Sequence, residues 1–87
     1  MAISASAINV STTAVLLAKA DADGTEVVIY HPSGASGQTI EVGPADVTTA
    51  TGLPIASGAS LSFRLRPHEE VYGIADTGTH EVRVMTL

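Results

Sequence analysis

Three groups of residues have the types and spacing that chemistry could use. The first is DADGTE at 21–26, where Asp21, Asp23 and Glu26 bracket a glycine. Oxygen ligands in that pattern begin many calcium loops, because a hard cation needs several of them wrapped around it. An EF-hand loop also needs a distant bidentate Glu, and here a β-branched run starts at Thr25. The segment therefore reads as an Asp-Gly hairpin turn with solvated acids. The second group is the histidines, His31, His68 and His80. None has a partner four residues away, as the helical zinc-hydrolase motif requires, and nothing in their spacing makes them converge. The third is serine. No Ser lies in a G-x-S-x-G elbow, there is no Cys, and GASG at 34–37 lacks the helix and Lys that a phosphate loop needs. No catalytic residue, metal or cofactor is expected, and the chain reads as a non-enzyme that acts through its surface.

The elements that would position such residues are strands. No long apolar stripe of 3.6-residue period exists, and Thr, Val, Gly and Ser stand where a helix favours Leu, Glu and Lys. Strands are expected at 7–11 and 13–19, at 25–31 (TEVVIYH), 38–42, 60–66 (SLSFRLR), 71–75 and 80–86. Alternation assigns Val27, Ile29, Ile40, Val42, Leu61, Phe63, Leu65, Ile74, Val82 and Val84 to the core. Clusters of Gly, Pro, Asp and Ser separate the runs, as ADADG at 20–24, HPSGASG at 31–37, VGPAD at 42–46 and RPHEE at 66–70. Such residues supply positive φ, preset φ or cap turn amides. Short alternating strands punctuated in this way predict an all-β domain, a small antiparallel β-sandwich or barrel-like fold. The tetrapeptide SGAS at 33–36 and 57–60 reads as two turns of similar composition.

Size and charge narrow the partners. At 87 residues the chain is one domain near the lower limit for a single core, and without Cys it has no disulfide to add stability. Self-association or docking on a partner is the common remedy. Nine acids against four bases, Lys19, Arg64, Arg66 and Arg83, leave a net charge of −5 and no basic patch for nucleic acid. No stretch approaches the roughly 20 apolar residues of a membrane span, and no basic residue precedes the apolar patch at 15–18, so neither membrane insertion nor export is expected. Residues 1–7 are uncharged and lack a core-facing period, which would suit an N-terminal arm before a single sandwich domain at 8–87.

The middle of the chain has a further pattern. Asp46-Val47-Thr48-Thr49, Gly52-Leu53-Pro54-Ile55, then Gly58 and Ser60-Leu61 lead into a strand, followed by Tyr72-Gly73-Ile74-Ala75 and Val82-Arg83-Val84. This series resembles small β-rich virion structural proteins of tailed bacteriophages, of the capsid decoration or head-fibre type, over roughly residues 7 to 87. The resemblance implies a decoration (cement) protein that binds the major capsid protein on the head exterior. It implies a homotrimer or other small oligomer, made in the host cytoplasm and located on the virion. Tail, neck or fibre modules of the same kind are an alternative, as is a free-standing β module for a small ligand or glycan. Residues 46–59, nearly neutral because no charge follows Asp46 until Arg64, are expected to form a long loop with turns at 51–52 and 57–58, anchored by Leu53 and Ile55. On this reading Val47, Thr48, Thr49, Thr51, Leu53, Pro54 and Ile55 are the candidate subunit or capsid interface.

Overall fold

The computed structural model describes residues 3–32 and 39–87. Eight strands follow in order: β1 (Ser4–Val10), β2 (Val15–Lys19), β3 (Thr25–Tyr30), β4 (Thr39–Gly43), β5 (Leu53–Ala56), β6 (Ser60–Leu65), β7 (Glu70–Ala75) and β8 (His80–Thr86). They form two four-stranded antiparallel sheets, β1-β8-β3-β6 and β2-β7-β4-β5. Chain order and sheet order together are those of an eight-stranded jelly roll, two interlocked Greek keys that face each other. The expected all-β sandwich is therefore the fold.

Alternation builds the core. Val27 and Ile29 of β3, Ile40 and Val42 of β4, Leu65 of β6, and Val82 and Val84 of β8 all point between the sheets, where they meet Val10, Leu17, Ile55, Val71 and Ala75. Aliphatic β-branched side chains predominate, and they suit a pleated, half-buried surface. Leu61 and Phe63 face the same way as Leu65 but are only half-buried, because they stand where the sandwich gapes between β5 and β6. Ile74 departs from its expected place. In β7 the inward positions are Val71, Gly73 and Ala75, so Ile74 lies half-buried on the outer face. Gly73 makes room for Leu17, whose Cδ1 would stand 2.9 Å from a Cβ there and would have to shift. A register shift between Leu16 and Ala18 lets β2 turn two successive residues, Leu17 and Ala18, inward.

Three other expectations change. Residues 4 to 7, expected as part of an arm, belong to β1 and pair with Thr86 through Arg83 of β8. Their side chains are exposed, so the pairing rests on the main chain and leaves little alternation to read. The segment at 20–24 is no hairpin, for β2 and β3 lie in different sheets and the turn carries the chain between them. Its Asp21 carboxylate accepts from the Asp23 amide at 2.9 Å, and Gly24 takes φ 77°. Finally, the long loop at 46–59 is interrupted by β5, which pairs with β4 through Ile55↔Ile40. The expected strand at 38–42 begins at Thr39 among the described residues, and the SGAS at 33–36 lies outside them.

Candidate interaction surface

Because every strand runs antiparallel to its neighbours, the connections alternate between the two ends of the sandwich. One end carries the 11–14, 57–59 and 76–79 connections together with His31 and Pro32. Main-chain bonds tie it, from Gly58 N to His31 O (2.6 Å), His31 N to Ala59 O (3.0 Å) and Ala75 N to Ser11 O (2.8 Å). The other end carries 20–24, 44–52 and 66–69, joined where His68 N donates to Asp21 O at 3.0 Å.

The candidate interface residues gather around the β4–β5 connection, and the structure separates them into two kinds. Val47 and Ile55 are buried and present no surface, a correction to their place among the interface residues, while Ile55 anchors the segment as expected. Thr48, Thr49, Thr51, Leu53 and Pro54 are exposed. Leu53, expected as an anchor, is 55% exposed and overhangs the apolar crevice of Val42, Leu61, Phe63 and Val71. Val47 takes the anchoring place instead, its amide donating to Pro44 O at 2.9 Å.

The connection is built from its own residues. Thr48 N donates to Thr51 Oγ1 at 3.1 Å, the two hydroxyls share a bond of 3.0 Å, and Gly52 N donates to Thr48 O at 3.0 Å. Short hydroxyl-bearing residues close such turns because their oxygens reach nearby amides. Gly52 then passes so close to β4 that a Cβ would stand 2.5 Å from Glu41 Cβ and 2.9 Å from Val47 Cγ2. The sequence V-T-T-x-x-G-x-P-I thus encodes a plug, a threonine-closed turn, a close approach and an edge strand. Proline is tolerated in β5 because the strand is an edge.

Beneath this turn Glu41 is buried on the outer face of its sheet, where residue pairing sets Ile74 and Pro54 on either side. Thr39 Oγ1 donates to Glu41 Oε2 at 3.1 Å, while Oε1 has no partner among the described residues. Burial pushes this carboxyl above its ordinary range. The Thr39 hydroxyl pulls the other way and nearby Asp76 adds to the rise.

The histidines are divided as well. His31 and His80 are buried at the opposite end, ring to ring edge-on at 5.6 Å. His31 Nδ1–H donates to Ile55 O at 3.2 Å and His80 Nε2–H to Thr77 O at 2.8 Å, so both rings fasten connections. Spacing along the chain gave no sign of this pair, which arises from β3 and β8 being neighbours in one sheet. His68 is exposed, in a turn with φ 64°. Tyr30 lies on the outer face of one sheet and Tyr72 on that of the other, while Phe63 faces inward, so the aromatics form no common platform.

No family model and no curated protein matches the chain. Among solved structures it is similar to a chain from "Bacillus endospore appendages form a novel family of disulfide-linked pili". That match has 21% identity and a TM-score of 0.54, over 98% of this chain and 84% of that one. At such identity the likeness is one of fold.

Proposed function

We propose that this chain is a non-enzymatic structural protein of a tailed-phage particle, a decoration protein that binds the exterior of the head and stabilises it. The observation that carries the reading is the uncharged ledge formed by Thr48, Thr49, Thr51, Leu53 and Pro54, supplied by the same residues that carry the resemblance to phage virion proteins. Side chains with few rotamers lose little entropy when covered. A turn held by its own hydrogen bonds also needs no rearrangement to dock. The likeness to a pilus-forming protein supports the broader class, a small jelly roll that works by assembling. The absence of Cys means that assembly of this chain uses no disulfides of its own. Many copies on one shell convert modest individual affinity into firm attachment when neighbouring copies touch.

The test is sedimentation of the purified chain with separated heads and tails of the matching phage. Pelleting with heads is expected. Pelleting with tails alone would transfer the chain to the tail, and a chain that stays in the supernatant with both would end the virion reading.

A further inference from the structure

The jelly roll has four sheet edges, and three of them carry a feature that hinders strand addition. The β2 edge has the register shift at Leu16–Ala18 and the exposed Lys19. The β5 edge is four residues long and contains Pro54, which has no amide to offer. The β6 edge carries Arg64, whose guanidinium donates to Asp23 O at 3.3 Å. Bulges, prolines, charges and short strands are how sheets keep their edges from pairing with other chains. The β1 edge has none of these. It is seven residues long, reads SASAINV, and pairs with β8 without a shift in register.

A second observation concerns the face beside that edge. Ala5 and Ala7 of β1 point outward next to Met85 and Arg83 of β8, and these lie beside Val28 and Tyr30 of β3. Met85 is 39% and Tyr30 41% exposed. The face is therefore apolar next to the open edge; the charges on β8, Arg83 and Glu81, pair with each other at 3.0 Å, and Glu26 and Arg64 stand opposite each other on the strands beyond.

We propose that β1 is a self-association edge, at which β1 of a second copy adds antiparallel across a two-fold axis to make one continuous eight-stranded sheet. Charge selects the second copy as occupant. A chain of net charge −5 repels itself over most of its surface, but two β1 strands bring only Ser, Ala, Ile, Asn and Val together. The nearest charges, on the two β8 strands, would lie three strand spacings apart. That is about 14 Å, beyond the roughly 8 Å screening length at physiological salt. Two-fold pairing is also self-complementary, so the outer apolar faces of the two copies become one. The inference is independent of the capsid reading.

The test is the solution mass of the wild-type chain, with hydrogen exchange of the 4–10 amides. The expected mass is twice the 8.8 kDa of one chain, with slow exchange at alternate β1 amides that face away from β8. Ala5→Lys with Ala7→Lys places charges on the shared face without touching the core, and is expected to return the mass to one chain. Ser60→Lys with Ser62→Lys on the β6 edge adds the same charge and is expected to leave the dimer intact. A wild-type mass of one chain or of three would overturn the proposal. So would a dimer that survives the β1 substitutions, or β1 amides that become protected only when capsid is added.

Discussion

At the scale of the residue, small side chains are explained by what stands against them. Gly52→Ala is expected to cost about 1–3 kcal/mol, because the new methyl meets β4 and Val47, neither of which can withdraw cheaply. Denaturant unfolding checks this, and a midpoint equal to wild type would mean that the turn does not lie on Glu41. For Glu41 the sign follows from its raised affinity for a proton. The folded chain holds that proton above the ordinary value of 4.5, where the unfolded chain has released it. Stability therefore falls as pH rises through the window above 4.5 and stays lower beyond it. Glu41→Gln cannot ionise, so it should melt higher than wild type at pH 7 and lose this part of the pH dependence. A variant that melts lower at pH 7 would show the carboxylate to be well accommodated. In the core, Ile29 is fully buried and Phe63 half-buried, so Ile29→Ala should cost about 2–5 kcal/mol and Phe63→Ala less, despite its larger side chain. The reverse order in urea titrations would place Phe63 at the centre of the core.

At the scale of the element, sequence was informative wherever one face of a strand is buried and the other wet. The alternation in SLSFRLR and HEVRVMT located β6 and β8 and the faces they bury. It could not find β5, whose four residues include a proline and show two apolar side chains of which only Ile55 is buried. The first half of β1 was equally silent, since all four of its leading residues are exposed and the strand exists through its ladder with β8. Hydrophobicity alone points Ile74 inward, but the register of β7 gives the inward positions to Val71 and the small residues Gly73 and Ala75. The plug role of Val47 was hidden for a related reason, because only the folded turn shows which apolar residue of the segment is covered. The buried His31–His80 contact joins elements far apart in sequence. Removing either ring should cost about 1–3 kcal/mol through the lost hydrogen bond and packing. The double variant His31→Ala/His80→Ala should cost less than the sum of the two. Strict additivity in such a cycle would mean that the rings do not act together.

At the scale of the whole molecule, the chain is a small Cys-free jelly roll in which several polar side chains serve its own fold. Glu41, His31 and His80 are buried, Asp21 caps its turn, and the threonines at 48 and 51 bond to each other. What is left for other molecules is shape, an uncharged ledge at one end and an open edge at β1. These belong to different parts of the fold, so docking on a shell and pairing with a sister copy are geometrically compatible. On the proposed reading, the β4–β5 ledge is where the chain would meet a phage head. The measurement that tests it most directly is a density map of matching phage heads with and without added chain. Extra density of jelly-roll size is expected on the head exterior, with Thr48, Thr49, Leu53 and Pro54 against the shell. Identical maps, or density that meets the shell through another face with the ledge exposed to solvent, would contradict it.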